Sequence, residues 1–374
     1  MKKILLVSHY GIDRNGVALV ILNWIRAMKN EDYEFVWYFG GNSIDEEYED
    51  ELHKKDVKLY RGSLQSEPKQ SRYKKCGEDI RQIITQERPD IIHVNTGNLK
   101  MQYYVMAAAS EQRVPVRIAH SHSYSHYESN IDKKQIIADR RNSLLQNATA
   151  YVACSTEAGK WLFGSNVEFQ LIKNPIELER FKFNEKTRKE YRSKLNLDSD
   201  TILLGSVGNL KIEKNHEFLL EVLAMLNSRR KKFKLIILGE GELRKNLERK
   251  RTQLGLENDM YLPGSSSSVE CWLSAMDIFL MPSLYEGLSL AAIEAQATGL
   301  PCLFSDQMSI ETKVTEKVLF LPLNSIKIWN DSICKLENYY IKNNIDRSGD
   351  NDLCAKAGFG IETIKKCISQ LYEQ

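Results

Sequence analysis

A chain of 374 residues, 42% hydrophobic and 27% charged, has an ordinary globular composition and enough length for about two domains, each with its own core. Its 52 Lys and Arg stand against 50 Asp and Glu, so no basic field marks it as a nucleic-acid binder. The seven cysteines are odd in number and form no C-x-x-C pair, which suits a reducing cytoplasm. No apolar run approaches the ~18 residues of a membrane span. The opening run Ile4–Val7 stops at Ser8, far short of a signal peptide.

In chain order, a strand is expected at 2–9, a helix at 16–28, and strands at 34–40 and 56–60. A helix near 76–87, a strand at 90–95, a helix near 100–112 and a strand at 116–121 follow. A helix near 131–146 and strands at 150–155 and 168–174 complete this half. After a charged segment holding a polar helix (185–195), the alternation resumes. It gives a strand at 201–208, helix 215–229, strand 234–241, helix 242–254, strand 260–264, helix 268–275 and strand 278–283. Helix 288–298 and strands 301–305 and 318–322 come next. Several strand runs are continuously apolar, as in parallel sheets covered on both faces. The alternation predicts an α/β protein of two doubly wound, Rossmann-like domains, 1–174 and 175–374, facing across a cleft. The last helix, from Gly360 on, either docks on the second domain or crosses back to the first.

Ligands of open parallel sheets lie beyond the carboxyl ends of the strands, so the loops there are the places for chemistry. The most informative is PSLYEGLSLAAIEAQATGLP (282–301). Leu288–Thr298 reads as a helix apolar almost all round, hence buried, and closed by Gly299 and Pro301. Glu294 lies in its middle, where a carboxylate is costly unless something polar meets it. The helix start offers backbone N–H groups at Gly287, Leu288 and Ser289 to an anion. Glu286 precedes Glu294 by eight residues, about 12 Å if all were helical. Two carboxylates flanking an anion site match a ligand with hydroxyls at both ends and a charged middle, such as a nucleotide-sugar. Two ion-paired structural glutamates fit the same spacing.

In GSVGNLKIEKNHEF (205–218), Lys214 stands just before a helix and can present a point charge to a phosphate, or merely be a solvated loop lysine. Gly11 and Gly16 have P-loop spacing, but Val17 and Ala18 replace the required Lys and Ser/Thr. Gly239-Glu240-Gly241 lacks the third glycine of a dinucleotide fingerprint. Four histidines, His93, His120, His122 and His126, fall close together. H-x-H-x3-H could suggest zinc, but no carboxylate or thiol partner stands nearby, and no metal is expected. His120, ending its strand, is better placed as an acid/base or hydrogen-bonding group, with structural roles for His122 and His126. Asp198-Ser199-Asp200 and Asp350-Asn351-Asp352 both read as solvated turns.

Taken together, these loops resemble the retaining family 4 glycosyltransferases of the GT-B fold, in particular the branch that builds bacterial exopolysaccharides and capsules. The resemblance rests on the E-x7-E element from Glu286 to Glu294, GNLKIEKNH (208–216), LGEGELR (238–244), VRIAHSH (116–122), ACSTEAGKWLFG (153–164) and LIKNPIELERF (171–181). It implies that Glu286 holds hydroxyls of the donor sugar and that Glu294 binds the ribose. Lys214 would neutralise the diphosphate together with the N–H groups of Gly287 and Leu288, with Ser289 beside them. Gly16 would let the first loop approach the phosphate and acceptor, and His120 would sit near the donor sugar. The base would lie near Leu262, in the loop after its strand. Asn209 stands where the family often has Arg, so one cationic contact is missing. Asn15-Gly16-Val17-Ala18 replaces the usual Gly-Gly-x-Glu, and Ser289 a common Pro.

The resemblance implies a metal-independent hexosyltransferase that retains configuration, with a nucleotide-sugar, UDP-linked in the leading reading, as substrate and no cofactor. The acceptor would be a lipid-linked glycan, reached from the cytoplasm. The basic stretches 71–75 and 132–145 could touch the membrane surface or be ordinary solvated helix faces. Two alternatives stay open: a nucleotide-sugar epimerase of the same architecture, and a weakly active nucleotide-sugar-binding partner subunit. Sugar, linkage and oligomeric state are not legible.

Overall fold

The structure of the chain, a computed structural model, describes every residue except 14, 29–31, 63, 65, 66, 69, 70, 124–133, 230, 231, 342, 344, 345, 349 and 374. His126 and the first residues of the expected helix 131–146 lie outside the described residues. The chain divides into two units, Met1–Pro175 with Ile361–Gln374, and Ile176–Gly360.

The first unit holds a seven-stranded sheet: β1 (Lys2–Ser8), β2 (Tyr33–Phe39), β3 (Lys58–Arg61), β4 (Ile91–Asn95), β5 (Val116–Ser121), β6 (Ala150–Ala153) and β7 (Gln170–Leu171). The order is β3-β2-β1-β4-β5-β6-β7, with every pairing parallel. Helices α1 (Gly16–Ala27), α2 (Glu46–Lys54), α3 (Arg72–Glu87), α4 (Leu99–Glu111), α5 (Lys134–Asn147) and α6 (Thr156–Phe163) connect the strands. All five residues of β4 are buried, which is why its run carries no polar alternation. Helix starts are fixed by side-chain caps: Asn98 accepts from Met101 N–H at 2.9 Å, and Ser155 from Ala158 N–H at 3.2 Å.

The second unit holds six parallel strands, β8 (Ile202–Val207), β9 (Phe233–Leu238), β10 (Met260–Gly264), β11 (Ile278–Met281), β12 (Cys302–Ser305) and β13 (Val318–Leu321). They are ordered β10-β9-β8-β11-β12-β13. The helices are α7 (Glu185–Lys194), α8 (His216–Arg229), α9 (Arg244–Gln253), α10 (Val269–Ala275), α11 (Leu290–Ala297), α12 (Ile326–Leu336) and α13 (Asp350–Lys356). In each unit the strand order reverses once, between β1 and β4 and between β8 and β11. Those reversals are where an open α/β sheet leaves its ligand crevice.

The polar helix α7 is more than a solvated linker. Arg188 and Arg192 reach across to Asp277, the buried residue just before β11. Arg192 donates to Asp277 Oδ2 at 2.8 Å, and the Leu203 N–H of β8 donates to the same oxygen at 2.7 Å. One carboxylate thus pins the two central strands together. Asp277→Ala leaves two guanidinium groups with backbone carbonyls but without their carboxylate, and the Leu203 N–H without its side-chain acceptor, so it is expected to lower unfolding stability by about 3–5 kcal/mol. Urea unfolding of the full chain checks this, and a loss below about 1 kcal/mol would contradict the pinning role.

Several expectations need correction. The last helix, α14 (Ile361–Tyr372), takes the second of its two expected places and belongs to the first unit, so the second unit ends at Gly360 and not at 374. It packs on α1, and Lys2 donates its ammonium to the Tyr372 carbonyl at 2.6 Å. Asp350 is no solvated turn: it is 7% exposed, opens α13 and pairs with Lys317 at 2.8 Å. Asp198 to Asp200 do form an exposed turn, with Asp198 accepting from Thr201 N–H. Helix α11 begins at Leu290, not Leu288, with Ser289 as its N-cap residue.

Candidate active site

Strands β8 and β11 are neighbours, with Ile278 opposite Leu204 and Phe279 opposite Gly205. The loops that leave their carboxyl ends therefore run side by side. After β8 the chain makes a short 3-10 turn over Ile212–Lys214 and then places Asn215 in the left-handed region, φ 52°. Asn tolerates that conformation, and its side chain donates to the Pro282 carbonyl at 3.2 Å. The Leu284 N–H donates in turn to the Glu213 carbonyl at 2.8 Å. With the loops clamped, the Lys214 ammonium forms an ion pair with the Glu286 carboxylate. Their side chains are 18% and 20% exposed. Two residues 72 positions apart, singled out separately in the sequence, thus meet in one place.

Glu286 and the turn after it are held from the other side as well. The Ser309 N–H donates to the Glu286 carbonyl at 3.4 Å, and Thr312 Oγ1 to the Gly287 carbonyl at 3.5 Å. Gly287, Leu288 and Ser289 are buried and lead into α11 rather than forming its first turn. The shift by two residues moves the helix's unpaired N–H donors toward Leu290–Ala292. It also invalidates the all-helical 12 Å separation of the two glutamates, because 286–289 is not helical.

Glu294 lies on α11, partly exposed. Among the described residues no hydrogen bond or ion pair holds its carboxylate. Burial pushes its carboxyl up to about 7, Arg180 works against that rise, and Glu270 and Glu177 add to it. Arg180 is itself tied to Glu270, at 2.9 Å. Among the described residues, the polar counterpart expected for Glu294 is thus the field of Arg180 alone. Arg180 was not singled out as a site residue; it lies in LIKNPIELERF, which carried the resemblance without a role.

Asn209 is exposed at the end of β8. Gly239 follows β9, and a Cβ there would lie 2.0 Å from the Gly208 carbonyl oxygen, so only glycine lets the two loops lie this close. Leu262 is inside β10, 9% exposed, and not in the loop after it. Its carbonyl accepts from Arg244 Nη2 at 2.8 Å. His216, next to the lysine turn, is 3% exposed; burial and then Lys214 lower it to about 3, which keeps its imidazole neutral.

In the first unit, Gly16 is the exposed first residue of α1. The preceding Asn15 accepts from Ala18 N–H at 3.0 Å and donates to the Gly11 carbonyl at 2.9 Å, which fixes the loop after β1. His120 ends up 0% exposed. It stacks on Trp24 and His122, and its Nδ1 lies 3.0 Å from His93 Nε2. His122 meets Asn95 and Asn174 at 3.1 Å each, the satisfied structural histidine expected of it. Among the described residues no group of three or more His, Cys, Asp or Glu is placed to hold a metal ion.

Chemically, the second unit offers an ammonium and a helix start for an anion, flanked by two carboxylates that accept from hydroxyls. Residues 187–344 match the family model described as glycosyl transferases group 1, and residues 14–180 that described as glycosyltransferase family 4. EpsF of Bacillus subtilis (strain 168), which carries a glycosyltransferase name, is 32% identical over 320 residues, 82% of this chain and 79% of its own. An Escherichia coli protein named UDP-Gal:alpha-D-GlcNAc-diphosphoundecaprenol alpha-1,3-galactosyltransferase is 24% identical over 302 residues, covering 78% of this chain and 76% of its own. Among solved structures, Anabaena HepE in complex with UDP and glucose superposes with a TM-score of 0.81 at 16% identity, covering 100% of both chains. Sucrose-phosphate synthase of Thermosynechococcus elongatus gives 0.79 at 19% identity, covering 100% of this chain and 99% of its own. These likenesses show the two Rossmann-like domains of GT-B glycosyltransferases.

Proposed function

Because the chain belongs to the family 4 glycosyltransferases of polysaccharide biosynthesis, we propose that it moves a hexosyl group from a UDP-sugar to a lipid-linked glycan, with retention of configuration. The observation that carries this reading is the Lys214–Glu286 pair at the strand-order reversal of the second unit, directly before the start of α11. In the reading, Lys214 and the N–H groups from Gly287, Leu288 and Ser289 into α11 take the diphosphate, and Glu286 turns to the sugar hydroxyls. Glu294 takes the ribose diol, and the base lies along β10 near Leu262. Gly16 opens the loop after β1 to the acceptor. The leaving diphosphate gains charge as its bond to the sugar breaks, and a fixed ammonium with oriented N–H groups stabilises that charge.

Asn209 adds no positive charge, so Lys214 carries most of this task. The similarity to an enzyme named for a diphosphoundecaprenol acceptor supports a lipid-linked acceptor. Among the described residues no helix is long and apolar enough to cross a membrane. Access to such an acceptor would then be peripheral, through basic surfaces such as Arg72–Lys75.

The experiment is transfer from radiolabelled UDP-glucose, UDP-galactose and UDP-N-acetylhexosamines to membrane lipid extracts by the purified chain. Label entering the lipid fraction with one of these donors is the expected result. Hydrolysis alone, or no turnover with any UDP-sugar, would overturn the reading. Because the diphosphate is matched by an ammonium and backbone donors, excess EDTA is expected to change the initial rate less than twofold; a rate lost to EDTA and restored by Mg²⁺ or Mn²⁺ would sink the metal-independent mechanism.

A further inference from the structure

The first unit contains a chain of hydrogen bonds that ends on an unmet atom. Tyr372 of α14 is fully buried, and its hydroxyl lies 2.9 Å from His93 Nδ1. His93 Nε2 lies 3.0 Å from His120 Nδ1. His120 Nε2 is buried and has no partner among the described residues. The His93 and His120 rings are within 7° of coplanar, and Trp24 stacks under both. The imidazoles are thus locked in the plane their hydrogen bonds require.

Only one proton arrangement uses this geometry well. If Tyr372 donates to His93 Nδ1, then His93 carries its proton on Nε2 and donates to His120 Nδ1. His120 then carries its proton on Nε2. In the reverse arrangement His120 and His93 both carry Nδ1–H, and the Tyr372 hydroxyl becomes an acceptor. Its own O–H then has no acceptor among the described residues, and Tyr372 is 0% exposed. The first arrangement leaves one polar group unmet, the second leaves two, and buried unmet groups are what folded proteins avoid. Burial also pushes the Tyr372 hydroxyl up and both imidazoles down, so the phenol stays a donor and the rings stay neutral.

We propose that Tyr372 and His93 are positioning residues that fix His120 as its Nε2–H tautomer, so that His120 presents a hydrogen-bond donor to an oxygen of the sugar substrate. The proposal rests on the reading of the chain as a sugar transferase. It gives the C-terminal helix a part in the reaction that no contact with substrate would require. The remaining unmet donor, His120 Nε2–H, is then the exception the site keeps for its ligand.

The test uses the full chain labelled with ¹⁵N-histidine, with His120→Gln and His93→Gln to assign the rings. Two-bond ¹H–¹⁵N correlations report the tautomer of each imidazole without substrate. The expected result is Nε2–H for both His93 and His120. Tyr372→Phe keeps the ring packing, and it is expected to let His120 populate Nδ1–H. It should also lower kcat about 5- to 50-fold with the Kd for UDP unchanged. His93→Gln, which can still donate an N–H, should retain more activity than His93→Leu. An Nδ1–H His120 in the unsubstituted protein overturns the proposal, whether or not the variants fold. So does a Tyr372→Phe protein with altered Tm but unchanged tautomer and kcat. Failure of the transferase reading is distinguished by the unsubstituted chain: if it turns over no UDP-sugar, that reading fails, while the substrate-free tautomer signal still judges the relay.

Discussion

Glu286→Ala is expected to lower kcat for sugar transfer by about 10²–10³-fold and to leave UDP binding as tight as before, or tighter. The two effects have separate causes in one ion pair. Without ligand, the Glu286 carboxylate holds the Lys214 ammonium. A diphosphate must compete with that carboxylate for the same cation. Removing Glu286 frees Lys214 for the phosphates, which UDP alone can report. The loss in kcat appears because nothing then holds the sugar hydroxyls at the reacting carbon. Lys214→Met should behave differently, weakening UDP binding and lowering kcat together, since it removes charge from both the bound and the leaving diphosphate. The pair is partly solvated, so its own share of stability is below about 1 kcal/mol, and both variants should unfold close to the parent. Calorimetric titration with UDP beside initial-rate kinetics separates the outcomes. A Glu286→Ala variant with weaker UDP binding and normal kcat would reverse the roles assigned to the pair.

What the sequence made legible follows from the range of the physics involved. The parallel sheets were readable because strands buried on both faces, such as β4 and β12, appear as unbroken apolar runs. Helix α2 was not, because only Tyr48 and Leu52 of Glu46–Lys54 are buried, too few to show a period. Helix α13 hides because two of its three buried residues, Asp350 and Asn351, are polar and leave no apolar period. The start of α11 was misplaced because Leu288 extends the apolar pattern, although Ser289 is a residue that commonly caps a helix. At the site, residue types were legible and their partners were not. Lys214 and Glu286 meet only through the adjacency of β8 and β11, and no spacing within either loop encodes that contact. His93 and Tyr372 are 279 residues apart, joined because α14 returns to the first unit. Leu262 shows the finer limit: being the middle residue of β10 places its carbonyl under Arg244 instead of leaving it free in a loop.

Glu294→Gln is expected to change stability and function in opposite directions. The Glu294 carboxyl is pushed up to about 7, first by burial, with Arg180 partly offsetting it and Glu270 and Glu177 reinforcing it. In the unfolded chain the same group titrates near the ordinary carboxylate value of about 4.3. Between those two values the folded state binds more protons than the unfolded state, so stability falls as pH rises through the window. Above pH 7 the ionised carboxylate remains a constant cost. Glutamine removes it: at pH 8 the variant should be more stable by about 1–3 kcal/mol, discounted for the solvent that reaches this partly exposed group, while below pH 4 the two proteins should unfold alike. Function runs the other way. A carboxylate can accept from both hydroxyls of a ribose diol, whereas an amide presents one oxygen, so UDP affinity at pH 8 should fall about 10- to 100-fold. In the parent, UDP affinity should also weaken as pH drops below 7 and the carboxyl takes up its proton; in the glutamine variant that dependence should flatten. Thermal unfolding and UDP titration across pH 5–8 measure both signs on the same samples. A variant that loses stability at pH 8 would show that Glu294 is held by a partner in the folded protein, and one that binds UDP like the parent would remove the residue from the ribose site.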